Sequence, residues 1–139
     1  MQIITREQLK QLFPKVKKLR LPKDLDKIDF SNLHYLGWLD ESDKVAYLVY
    51  NYHKQLTGLR FDFIRAGSQS MQLSFCELCK KHRKRSEIIF VTTRTKKRPK
   101  NVNYRVRGNY ICSDFNQCNQ DLVDLDWINK FFYQILEQD

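Results

Sequence analysis

Four cysteines in two separated pairs, Cys76-x-x-Cys79 and Cys112-x5-Cys118, constrain this chain more than any other feature. The two-residue spacer of the first pair is that of a zinc knuckle. The second pair lies 32 residues downstream, just ahead of a helical pattern. If the fold brings the pairs together, they make a tetrahedral site of four thiolates, which leaves no position for an activated water. Such an ion is structural, and a small basic domain held by it belongs more often to binding modules than to enzymes.

Length allows one modest core. A chain of 139 residues with 42% hydrophobic content and eighteen aromatics should pack as a globular domain. The opening residues Met1 to Glu7 carry no secretory apolar core, and no apolar run approaches the roughly 20 residues of a membrane span. A cytoplasmic protein is expected, without membrane association. In that compartment paired cysteines read as metal ligands rather than disulfides.

The net charge of +9 is unevenly spread. From Lys80 to Arg107 twelve basic residues face one acid, Glu87, a local charge of +11. A field of this kind draws polyanions or acidic proteins and speeds their encounter. Charge alone does not choose between them. Lys96, Lys97 and Arg98 are the candidate patch for RNA or for steering a protein partner.

Thr5-Arg6-Glu7-Gln8 reads as a capping box opening a helix that Pro14 closes. Lys15 to Pro22 reads as an extended connection and Lys23 to Asp29 as a polar loop. Tyr35–Leu39, Val45–Tyr52 and Leu59–Phe63 read as an antiparallel meander with a turn near His53. Val45–Tyr52 is apolar on both faces, as a central strand requires. The segment 66–70 is the candidate joint. Beyond it come the knuckle, a strand from Glu87 to Thr93, a basic turn from Arg94 to Asn103, and a return strand ending at Ile111. In the last helix Asp121, Asp124 and Asp126 crowd the first turns, where the dipole favours negative charge. Leu125, Ile128, Phe132, Ile135 and Leu136 form its core stripe. Trp127 and Phe131 fall to one side, so part of their surface should face away from the core.

Knuckle, hairpin, then a ligand pair at a helix start is the order of a treble-clef zinc finger. The expected fold is α+β: an N-terminal helix and antiparallel sheet (residues 1–70) packed with a four-cysteine treble clef and C-terminal helix (71–139). All 139 residues are expected to form one domain. His82 lies at knuckle spacing, but four cysteines already satisfy the ion. Catalytic signals are lacking: only four glycines, no phosphate loop, no His-x-Glu beside the cysteines, and no histidine placed as a base.

Ser74-Phe75-Cys76-Glu77-Leu78-Cys79, Arg107-Gly108-Asn109-Tyr110-Ile111-Cys112 and Cys118-Asn119 resemble the C-terminal domain of the elongation factor G-binding proteins of fusidic-acid-resistance type. Leu12-Phe13 ahead of the basic Lys15-Val16-Lys17-Lys18, and Leu36-Gly37-Trp38, are similar too. The resemblance implies one structural Zn2+ on Cys76, Cys79, Cys112 and Cys118. It also implies a protein that binds elongation factor G and releases it from the ribosome; a monomer is expected. The family's contact positions match Phe75, Arg107, Tyr110 and Phe131, with arginine at 107 where the family carries lysine. Family members also have an N-terminal helical domain, so the chain is expected to start at the equivalent of their C-terminal one. The rival expectation is a zinc module that binds the ribosome or its RNA directly.

Overall fold

A computed structural model describes residues 1–65, 73–93 and 107–137. The fold is α+β, as expected. Helix α1 (Arg6–Leu12) begins with the anticipated box: the Gln8 amide donates to the Thr5 hydroxyl at 3.2 Å, and the Thr5 amide to the Gln8 side chain at 2.8 Å. The strands are β1 (Leu36–Asp40), β2 (Val45–Tyr52), β3 (Gln55–Arg65), β4 (Leu73–Phe75), β5 (His82–Lys84), β6 (Ile88–Thr93) and β7 (Arg107–Cys112). Five of them make an antiparallel sheet in the order β1-β2-β3-β6-β7, and β4 pairs with β5 in a second, two-stranded sheet. His53 and Lys54 both take positive φ, 49° and 64°, in the two-residue turn that sets Tyr52 opposite Gln55.

The sheet is two-faced, and the two faces have different covers. On one side Leu36, Trp38, Val45, Tyr47 and Val49 pack under Ile4, Leu9 and Phe13 of the N-terminal segment. The connection from Lys15 is pinned there by the Trp38 indole, which donates to the Arg20 carbonyl at 2.8 Å. Leu25, within the stretch that reads in sequence as a polar loop, and Phe30, just after it, close this cluster. Two 3₁₀ turns, Leu25–Lys27 and Phe30–Asn32, aim those side chains inward.

On the other side Leu48, Phe61, Phe63, Ile89, Val91 and Ile111 meet the four cysteines and two helices, α2 (Phe115–Asp121) and α3 (Leu125–Leu136). Strand β2 serves both clusters, so its side chains are buried in both directions except at Asn51. This second cluster draws on residues from Tyr35 to Phe132, so the two expected subregions share one core.

The end of the chain corrects the sequence reading. Two helices stand where one was expected. Asp114 caps the first, accepting from the Asn116 and Gln117 amides, and Asp124 caps the second, accepting from Asp126. Asp121 therefore ends α2 instead of opening the last helix, and it pairs with Arg83. The core stripe also shifts. Leu125 and Leu136 are exposed, while Phe131 is 3% exposed and packs beside Phe132 and against Phe61 at 6.0 Å. The expectation that Phe131 faces outward fails because α3 is covered on two sides, by the sheet and by the knuckle.

The candidate joint at 66–70 and the turn containing Lys96, Lys97 and Arg98 lie outside the described residues. Among the described residues no helix is long and apolar enough to cross a membrane.

Candidate metal centre and adjoining surface

The knuckle is built by a hairpin that the sequence does not announce, β4 and β5, each three residues long. Between them the Cys76 amide donates to the Lys81 carbonyl and the Lys80 amide to the Cys76 carbonyl, at 3.1 and 2.9 Å. Closing that loop requires a left-handed residue, and Lys80 supplies it at φ 61°. The Glu77 amide then donates to the Tyr110 carbonyl at 2.9 Å, fastening the knuckle to β7. Cys112 ends β7 and Cys118 is the fourth residue of α2. The five-residue spacer of the second pair thus holds a turn plus the first turn of a helix, and the unusual spacing still delivers two converging thiols.

All four Sγ atoms lie within 4.8 Å of one another, and every one of these cysteines is buried. Cys76 and Cys118 are 3.8 Å apart, Cys79 and Cys112 3.7 Å. Thiolates at the usual zinc–sulfur length of about 2.3 Å sit about 3.8 Å apart around a tetrahedron. The donor set and its spacing fit a tetrahedral divalent ion, which completes a small core by converting four thiols into ligands. His82 is exposed on β5, its ring 5.3 Å from that of Phe75, outside this set.

Four ligated thiolates around a divalent cation carry a net −2, and the fold supplies donors to meet it. The amides of Leu78 and Cys112 both point at Cys76 Sγ, at 3.4 Å. The Arg83 guanidinium donates to Cys79 Sγ at 3.7 Å and to the Asp121 carboxylate. Asp121 is held below the ordinary carboxylate range, first by Arg83 and then by Gln117. Its share of stability is therefore complete above a pH near 4 and is lost as pH falls through the lowered value.

Asn119 adjoins the last ligand and is buried. Its oxygen accepts from the amides of His34 (2.8 Å) and Tyr35 (3.2 Å). Its amide nitrogen donates to the carbonyls of Tyr35 (3.1 Å) and Phe115 (3.0 Å). This one side chain ties the ligand-bearing helix to the entry of β1. Asn119→Ala should cost about 3 kcal/mol in urea unfolding of the metal-loaded protein, because buried backbone groups are left unpaired. A loss under about 1 kcal/mol would show that the clamp is redundant.

Of the expected contact residues, Phe75 and Tyr110 are each 38% exposed, high for large aromatics. The Lys80 ammonium lies 5.6 Å from the Phe75 ring centre. Arg107 opens β7, and only its backbone is described. Phe131 is buried, yet it lines a cleft of about 230 Å³ with Glu77, Lys80, Trp127, Lys130 and Gln134.

Missed from sequence is the apolar row beside Tyr110. Ile64, Phe90 and Tyr110 stand opposite one another across β3, β6 and β7, with the Phe90 and Tyr110 rings 5.0 Å apart and Ile64 exposed. The alternating strand pattern places them on the face α1 covers farther along, but cross-strand register is not legible in one sequence. Gly108 makes room for it: a Cβ there would lie 2.0 Å from the Phe90 ring. Gly108→Ala should displace that ring and cost about 1–2 kcal/mol, read as a lower melting temperature. An unchanged melting temperature would contradict this packing.

A cysteine knuckle on a short hairpin, a second cysteine pair spanning strand end and helix, and thiols at ligand spacing define a treble-clef metal-binding domain. The family model for the FBP C-terminal treble-clef zinc-finger matches residues 11–125, and the chain belongs to that family. A solved structure described as that of the fusidic acid resistance protein FusC superposes with a TM-score of 0.79 at 31% identity. The match covers 97% of this chain and 60% of that one, so the chain spans somewhat under two thirds of FusC's length. No curated protein matches.

Proposed function

We propose that this protein is a non-catalytic binder of elongation factor G that promotes the factor's release from the ribosome. One structural Zn2+ on Cys76, Cys79, Cys112 and Cys118 would hold the recognition surface. Family membership and the 31% identity to FusC support this reading. The observation that carries it is the pair of exposed aromatics, Phe75 and Tyr110, on segments joined through the Glu77–Tyr110 hydrogen bond beside the thiol cluster.

Aromatics held rigid in this way lose little freedom on association, which is where preorganised surfaces gain affinity. Arg107, which opens β7, is included on the family resemblance alone, and the row Phe90–Ile64 continues the surface across the sheet. Phe131 enters as the floor of the adjoining cleft. The positive Lys80–Arg107 segment steers an acidic partner, so association slows as salt rises. Release follows if the bound factor favours a conformation that leaves the ribosome, by differential affinity alone.

The test is sedimentation of ribosomes carrying the factor trapped by fusidic acid. Added protein should move the factor from pellet to supernatant in a dose-dependent way. If the factor stays pelleted at saturating protein, the release reading fails. If the protein itself pellets with factor-free ribosomes, and neutralising Lys96, Lys97 and Arg98 abolishes that, direct RNA binding replaces it.

A further inference from the structure

We propose that the Tyr35 hydroxyl donates a hydrogen bond to the Cys118 thiolate of the metal-loaded centre, making Tyr35 a positioning residue for the ion. It comes from the segment leading into β1, outside the treble clef. The contact belongs to the metal centre and is independent of which protein partner the surface takes.

Tyr35 is completely buried in the cluster that contains the four cysteines. Its hydroxyl oxygen is buried as well and has no hydrogen-bond partner among the described residues. That is costly for a phenol unless something arrives to accept its proton. Its position is not accidental. Asn119, the residue after Cys118, grips both the amide and the carbonyl of Tyr35. The Phe115 ring stands edge-on to the tyrosine ring at 6.2 Å. Backbone and ring are therefore both fixed against the helix that carries Cys118.

Of the four thiols, Cys118 is the one that stands foremost against the hydroxyl, ahead of Cys76 and Cys112.

The centre has a matching need. Cys76 receives two backbone amides and Cys79 the Arg83 guanidinium. Among the described residues Cys118 receives no donor from an amide or a guanidinium. A neutral thiol is a weak acceptor, but a metal-bound thiolate is a charged and much better one. The orphaned hydroxyl and the undersupplied thiolate complement each other only when the ion is bound. Groups that orient and neutralise ligands from behind commonly govern metal affinity by ten-fold or more.

Tyr35→Phe removes the hydroxyl and keeps the ring, and Tyr50→Phe is the control. Tyr50 is also a buried tyrosine, and its hydroxyl donates to Asn129 of α3 at 2.7 Å. Zinc affinity would be measured by chelator competition, and the centre probed by cobalt substitution. Tyr35→Phe should bind zinc about ten-fold more weakly. It should also move the sulfur-to-cobalt charge-transfer band to lower energy, because an unbonded thiolate gives up its electrons more readily. Tyr50→Phe should change neither.

Unchanged affinity and band position in Tyr35→Phe overturn the proposal. So does an affinity loss without a band shift, since packing would then be responsible. Should Tyr35→Phe not fold, the wild-type protein loaded with cadmium-113 decides. A Tyr35 hydroxyl proton coupled to the metal sustains the assignment, and its absence overturns it.

Discussion

Stripping the metal should unfold both halves of the chain together, not the cysteine half alone. The four thiols sit in the core that also contains Tyr35, Leu48 and Phe61, and Asn119 bolts their helix to β1. Left to themselves the thiols cannot all ionise. Contacts with Cys112, Cys76 and Cys79 drive the Cys118 thiol far above its ordinary range, while those from Cys112, Cys118 and Cys76 pull Cys79 down. Structural zinc binding contributes on the order of 10 kcal/mol or more, comparable with the entire stability of a domain this size.

Trp38 reports on the first half, since it lies in the cluster under α1, and Trp127→Phe leaves it as the sole tryptophan. Chelation should shift Trp38 emission to that of an exposed indole in step with the loss of far-UV dichroism, and zinc should restore both. Native Trp38 emission in fully stripped protein would contradict this coupling.

Alanine at both Phe75 and Tyr110 should weaken elongation factor G binding at least about 100-fold while leaving the melting temperature within a few degrees. Each side chain is partly exposed, so truncation opens no cavity, whereas paired aromatic anchors contribute a few kcal/mol to an interface. Phe131→Ala should behave in the opposite way. Its ring lies between Phe61 and Phe132, and its loss should cost about 3–5 kcal/mol of stability before any contact with a partner is considered. Titration calorimetry and thermal melting of the same variants separate the two effects. Full affinity in the double variant would remove these residues from the contact surface.

Local chemistry was readable from the chain. The Thr5–Gln8 box, the two-sided burial of β2 and the alternation of β3 each depend on near neighbours, and the structure keeps all three. The cysteine set was readable for the same reason, because ligand identity is written in residue type.

What failed depends on distant partners. Clustered acids signal a helix start, but three aspartates cannot say that one closes α2 and another opens α3. A helical wheel gives one apolar stripe, yet α3 is enclosed from two directions, and that draws Phe131 inward. Asn119 makes three of its four bonds 84 or 85 residues away, and nothing in its neighbourhood foretells those. The apolar row of Ile64, Phe90 and Tyr110 likewise exists only once β3, β6 and β7 are in register.

A calorimetric titration of purified elongation factor G into this protein, with zinc content measured on the same sample, reaches furthest into the account. Zinc-loaded protein should bind one factor per chain, and chelated protein should bind at least about 100-fold more weakly because its aromatics are no longer held in place. Equal affinity with and without the ion, or no heat from the fully loaded protein, would contradict it.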